Sequence, residues 1–213
     1  MFTGIIEHVG VLDSLALTGA GGRVTVHAPT LAGTLAVSKS VAVNGCCLTV
    51  TEIRGDKFSA DLSAETVSKT SFGAKGGELK KGTRVNLEQP LTAGKEFGGH
   101  FVLGHVDDIG RVIALQEESL GSNSWRLGVE VPLQFARYIV PKGSITVDGI
   151  ALTVANWDGR VVEVAVIPFT YEHTNLRDRV VGDAVNLEGD VLGKYIERYL
   201  EAREKNNSQN PRP

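Results

Sequence analysis

The chain has 213 residues, a formal net charge of −3 and a hydrophobic content of 42%. That suffices for one large domain or two small ones with their own cores, and the slightly acidic balance excludes nucleic acid as a main partner. The opening MFTGIIEHVG lacks the basic and apolar regions of a secretion signal, and no apolar run approaches the ~18 residues of a membrane helix, so a soluble cytoplasmic protein is expected.

In chain order, RVTVHAP, SVAVNG, CCLTVTEI, KFSADLS and RVNLEQP read as short strands, rich in Val and Thr and bounded by Gly, Asn, Asp or Pro. Asn44-Gly45 is a two-residue hairpin signal, because a type I′ turn needs positive φ at both positions. The chain then repeats itself. SITVDGIALTV (144–154) answers SVAVNGCCLTV (40–50), with Asp148-Gly149 at the turn, and GDAVNLE (182–188) answers GTRVNLE (82–88). Gly4-Ile5-Ile6-Glu7 falls on Gly104-His105-Val106-Asp107. The change of offset between these matches places an insertion in GAKGGELKKG.

A period near 100 residues is the size of a small domain, not of a solenoid unit. Residues 1–97 and 98–187 are therefore read as duplicated all-β domains. Six or so short strands in each suggest a small closed barrel, which removes exposed edges. Short helical pieces are predicted at AETVSKT, PLQFARYI and PFTYEHT. A longer helix over 188–205 is predicted from the spacing of Val191, Leu192, Tyr195, Ile196, Tyr199 and Leu200, with Asp190 as N-cap. Its aromatic stripe suggests self-association, against the alternative that it packs on its own barrel. The tail 206–213 is expected to be disordered.

Alternation on the strand after each hairpin turn assigns Cys46, Leu48 and Val50 to the core, and Cys47, Thr49 and Thr51 to the opposite face. Ala151, Thr153 and Ala155 do the same in the second copy. Small side chains with a hydroxyl leave a shelf for a flat ring, or simply a solvent-facing strand. His105 has Ile5 as its counterpart and is predicted on the first strand of the second copy. An imidazole present in only one copy is a candidate acid/base group. Adjacent Cys46 and Cys47 are not placed to pair with each other, and neither CxxC nor HExxH metal spacing occurs.

Together, MFTGII, NGCCLTV, GGHFVLGHVD, VDGIALTV and the two VNLE strands closely resemble the riboflavin synthase family, to about residue 205. The resemblance implies two tandem six-stranded Greek-key barrels with a C-terminal helix, a homotrimer, no cofactor and no metal. It implies four-carbon transfer between two molecules of 6,7-dimethyl-8-ribityllumazine, giving riboflavin and 5-amino-6-ribitylaminouracil. Association with lumazine synthase is a further possible partnership. The first half-site carried over from the family comprises Gly4, Ile5, Ile6, Ser40, Cys47, Leu48 and Thr49, with Asp61, Leu62, Ser63, Ala64, Glu65 and Thr66. The second comprises Gly104, His105, Val106, Lys142, Ala151, Leu152 and Thr153, with Val166, Ile167, Pro168, Phe169, Thr170 and Tyr171. Phe2 is expected near the site. His105 and Thr153 are implied in proton removal from the C7 methyl group, with Cys47 and Ser40 assisting addition at C7 of the partner molecule. Two positions depart from the family: Ala151 stands where Ser is usual, and Phe169 where a polar residue is frequent. The competing readings are a non-catalytic lumazine- or flavin-binding antenna protein on the same scaffold, a flavin-dependent reductase barrel and a duplicated interaction module.

Overall fold

A computed structural model describes residues 1–73, 79–119 and 124–209 of the chain, the last four of these as backbone only. The first copy contains β1 (His8–Thr18), β2 (Gly21–His27), β3 (Ser40–Val43), β4 (Cys46–Arg54), β5 (Lys57–Ser63), the helix α1 (Ala64–Lys69) and β6 (Arg84–Glu88). The second contains β7 (Asp108–Glu117), β8 (Trp125–Glu130), β9 (Ser144–Val147), β10 (Ile150–Trp157), β11 (Val161–Val166), α2 (Pro168–His173) and β12 (Ala184–Gly189). Each set of six strands closes antiparallel, in the order β1-β2-β5-β4-β3-β6 and its counterpart β7-β8-β11-β10-β9-β12. Closure pairs every strand on both sides, so neither sheet keeps an open edge.

The hairpin turns form as their residues require. Asn44 and Gly45 have φ of 45° and 75°, and Asp148 and Gly149 have 47° and 81°. Each turn fixes the register of the strands it joins, setting Val43 opposite Cys46 and Val147 opposite Ile150. Cys46, Leu48 and Val50 are buried in the first barrel, and Ile150, Leu152 and Val154 in the second, as the alternation requires. Bulges recur at matching places, at Asp13 and Ile113 and again at Thr51 and Ala155. They bend the long strands around their barrels.

The two barrels meet across a buried polar seam. Asn86 donates through its side chain to the carbonyl of Asp148, and Asn186 to the carbonyl of Asn44, at 2.9 and 2.8 Å. Each hairpin turn thus lies under an asparagine of the other barrel, and the two operations are related by a pseudo-twofold. Arg179 breaks that symmetry with a buried ion pair to Asp148 at 2.6 Å. Removing one partner of such a pair typically costs about 3–5 kcal/mol, because the other is left buried and charged.

The short helical piece in PLQFARYI is there as a 3-10 turn at Ala136–Tyr138, whereas several boundaries shift. The second barrel ends at Gly189 rather than 187, because β12 runs two hydrogen-bonded residues further. The C-terminal helix α3 (Val191–Gln209) extends past 205, and the remainder of the tail, 210–213, lies outside the described residues, as does part of the predicted insertion. Asp190 caps α3 by accepting the Leu192 amide at 3.0 Å. One side of α3 docks on the second barrel through Arg137–Glu197 and Lys194–Asp107 ion pairs. Its apolar stripe does not: Leu192, Tyr195, Ile196, Tyr199 and Leu200 are exposed.

Candidate active site

Two outward faces are built alike. On β4 the side chains of Cys47 and Thr49 point away from the core, and Ser40 of β3 stands opposite Thr49 in the antiparallel register. On β10, Ala151 and Thr153 do the same, with Ser144 opposite Thr153. The Leu48, Leu62, Leu152 and Val166 side chains are buried in the barrel cores, so these four expected contacts have only backbone to offer. Burial pushes the Cys46 thiol up to about 12, which leaves Cys47 as the thiol on the outward face.

The entry turns cross over. The Cys47 amide donates to the carbonyl of Gly104 at 2.8 Å, and the Ala151 amide donates to the carbonyl of Gly4 at 2.8 Å. Each approach requires glycine. A Cβ on Gly104 would lie 2.6 Å from the Cys47 Cβ, one on Gly4 would lie 2.6 Å from the Ala151 Cβ, and both glycines have φ near +79°. Val106 packs on the first barrel's core and Ile6 on the second's. The expected grouping is therefore corrected: Gly104-His105-Val106 belongs with Cys47 and Thr49, and Gly4-Ile5-Ile6 with Ala151 and Thr153. His105 also lies in the turn before β7, not on a strand, and within one chain it does not share a half-site with Thr153.

A cleft of about 360 Å³ marks the first half-site, lined by Cys47, Ser63, Glu65, Thr66, Gly104 and His105, among others. Ser63 caps α1 by accepting the Thr66 amide at 3.0 Å, which fixes the α1 rim. Asp61 is held by Arg23 at 2.7 Å, and that partner keeps its carboxyl below the usual range. Ala64 is exposed beside them. In the second half-site the rim is aromatic. Tyr171 of α2 stacks on Trp125 with ring centres 3.8 Å apart, and Phe169 stacks on His173 at 4.0 Å. Ile167 and Phe169 are exposed, as is Ile5. Pro168 starts α2, Thr170 is half-buried within it, and Lys142 (φ 65°) lies in the turn before β9 with its amide on the Val154 carbonyl of β10 at 2.9 Å.

Phe2 lies near the site, behind its wall. It is fully buried at the seam, where its amide donates to the Val102 carbonyl at 2.7 Å. A Cβ on Gly104 would reach the Phe2 ring at 3.0 Å, so Phe2 backs the turn and does not face the cleft.

Two buried acids, absent from the sequence reading, hold the crossed turns. Glu88 accepts the amides of Thr3 and Gly4 at 2.7 and 3.0 Å and the Thr3 hydroxyl at 2.8 Å. Glu188 accepts the amides of Leu103 and Gly104 at 2.8 and 3.0 Å. Burial raises both carboxyls, Glu188 to about 7. The available signal was a Glu closing both VNLE strands. Among the described residues, no group of three or more His, Cys, Asp or Glu side chains is placed to hold a metal ion, and no helix is long and apolar enough to cross a membrane.

Residues 3–90 and 103–190 each match the lumazine binding domain family, so the duplication is one of whole lumazine-binding domains. The chain belongs to that family. Similar members include the riboflavin synthase of Actinobacillus pleuropneumoniae, 42% identical over 94% of this chain and 90% of that one. That of Bacillus subtilis is 37% identical over 98% and 94%, and that of Mycobacterium tuberculosis 42% identical over 94% and 98%. Among solved lumazine-binding folds, LumP complexed with riboflavin superposes with a TM-score of 0.80 at 23% identity, covering 89% of this chain and 99% of that one. LumP complexed with 6,7-dimethyl-8-ribityllumazine gives 0.78 at 23%, over 88% and 98%.

Proposed function

We propose that the chain is a riboflavin synthase, an enzyme that transfers a four-carbon unit between two molecules of 6,7-dimethyl-8-ribityllumazine. The observation that carries the reading is similarity along nearly the whole chain to curated riboflavin synthases, in a protein that keeps both half-sites. The geometry suits a reaction between two copies of one substrate, because two related faces each offer a flat shelf and a crossed turn.

The half-sites are chemically unequal, and a dismutation needs that inequality. One substrate loses a proton from its C7 methyl group and the other accepts the resulting carbon nucleophile. Beside the first shelf, His105 offers an acid/base group, with Cys47, Thr49 and Ser40 to support addition at C7. Beside the second, Thr153, Thr170 and Ser144 carry the hydroxyls, while Ala151, packed against Gly4, offers none. Any hydroxyl role usual at that position passes to Thr153 or to Cys47. Proximity and exclusion of water contribute the larger share of rate, since the substrate's methyl group is itself acidic.

In one chain both faces are open, and Ile5, Ile167 and Phe169 lie exposed on the second. We take three copies to assemble head to tail, a heterologous arrangement that closes as a ring. The first half-site of one copy then covers the second half-site of its neighbour, which brings His105 of one copy toward Thr153 of another. The exposed stripe of α3 supports the assembly. The two free thiols suit a reducing cytoplasm.

The test is incubation of the purified chain with 6,7-dimethyl-8-ribityllumazine alone. Riboflavin formed at half the molar rate of lumazine loss supports the enzyme. Binding with spectral shifts but no riboflavin supports the antenna reading.

A further inference from the structure

The turn that carries His105 is pinned on both sides by carboxylates tied to the end of β12. Before His105, the buried Glu188 accepts the amides of Leu103 and Gly104. After it, Asp107 accepts the Gly189 amide at 2.9 Å and pairs with Lys194 of α3 at 2.6 Å. The turn itself has no slack, because the Gly104 carbonyl holds the Cys47 amide and the Gly104 Cα faces the Cys47 Cβ. The equivalent Glu88 has a third donor, the Thr3 hydroxyl. Leu103 replaces Thr3 in the second copy, so Glu188 holds its turn with two donors instead of three. The copy bearing the imidazole is thus the one whose anchor is less fully satisfied.

We propose that Glu188 is a positioning residue that sets His105 over the β4 face, acting through the Leu103–Gly104 turn and not by touching substrate. The proposal rests on the reading of His105 as the acid/base group of a lumazine dismutation. A carboxylate presents two acceptors to two amides, whereas a glutamine at 188 would turn an N–H₂ toward one of them. The turn would shift, and an imidazole displaced by even a fraction of an ångström loses rate steeply. Burial raises the Glu188 carboxyl to about 7, offset in part by its hydrogen bonds and by Lys194 of α3. Asp107, on the approach to β7, and Cys46 of β4 are the other titratable groups that face it.

The experiment compares Glu188→Gln with Glu88→Gln, each checked for folding, in lumazine turnover. Glu188→Gln is expected to lower kcat at least ~10-fold with KM within ~3-fold. Glu88→Gln, whose turn carries Ile5 of the second half-site and no acid/base group, is expected to act mainly on KM, with a smaller loss of kcat than Glu188→Gln. Added to His105→Gln, the Glu188→Gln change is expected to lower kcat by less than a further ~2-fold, as for residues acting as a unit. Equal effects of the two glutamines, or an undiminished effect in the His105→Gln background, would overturn the proposal. If Glu188→Gln does not fold, NMR of the unaltered chain decides. Nuclear Overhauser contacts from the His105 ring to the Cys47 and Thr49 side chains are expected to weaken as the Leu103 and Gly104 amides held by Glu188 shift with pH, and contacts that persist unchanged while those amides shift would overturn it. This arm needs no turnover, so a chain that makes no riboflavin refutes the functional reading while the positioning is still decided.

Discussion

The Cys47 amide donates to the Gly104 carbonyl at 2.8 Å, tying a strand of the first barrel to the turn that opens the second. Ala151 and Gly4 repeat the relationship in the opposite direction. Each half-site is therefore a product of both barrels, and a lone copy of the repeat would lack one wall of its own site. This gives the duplication a structural reason beyond the need for two substrates.

The close approach makes Gly104 intolerant of a side chain. Gly104→Ala would meet Cys47 and the Phe2 ring in a backbone with φ of +79°, which is expected to destabilise the chain by about 2–3 kcal/mol. Gly55→Ala, also at positive φ but with open space around it, is expected to cost about 1 kcal/mol. Urea unfolding of the two variants measures the difference.

His105→Gln keeps the shape of the turn and removes the acid/base group. Turnover is expected to fall about 10²–10⁴-fold, with lumazine affinity changed less than ~3-fold. Steady-state kinetics and a fluorescence titration separate the two, and unchanged turnover would remove His105 from the mechanism.

How much of this was legible in the residues follows from the range of the interactions. Asn44-Gly45 and Asp148-Gly149 form their turns through local backbone preferences, so the hairpins and the faces of β4 and β10 could be read directly. The repeat showed that Gly4 and Gly104 are equivalent. Equivalence does not say on which barrel a segment lands, and both turns cross to the other one. Glu88 and Glu188 look like strand-end surface acids until the amides they hold are seen, and those partners lie about 85 residues away. That Phe2 backs the Gly104 turn was hidden for the same reason, because its partner Val102 comes from the other copy.

Glu188 also leaves a pH signature. Its carboxyl is raised from 4.5 to about 7, chiefly by burial, so between those values the folded chain binds more protons than the unfolded one. Stability contributed by this group is full below pH 4.5 and is lost as pH rises through about 7, a change of about 3 kcal/mol. The difference in unfolding free energy between the parent and Glu188→Gln, followed by urea titration from pH 5 to 8, is expected to shift in the direction of parent destabilisation. A flat difference would contradict the burial of an ionisable carboxyl there.

The exposed stripe of α3 makes a separate prediction about assembly. Ile196 is 61% exposed in the single chain, so Ile196→Asp is expected to leave the fold of each chain intact. In sedimentation velocity it is expected to convert the proposed trimer to smaller species. An unaltered trimer would place the contact elsewhere.

The crossed half-site is the central claim, and a crystal structure with 6,7-dimethyl-8-ribityllumazine or riboflavin bound tests it most directly. The ring in the first half-site is expected to touch Cys47 and Thr49 together with His105 of the same chain, and the ring in the second to touch Thr153 together with Ile5. A ring held by Cys47 and Ile5 of one chain, with His105 beside Thr153 of that same chain, would contradict the account.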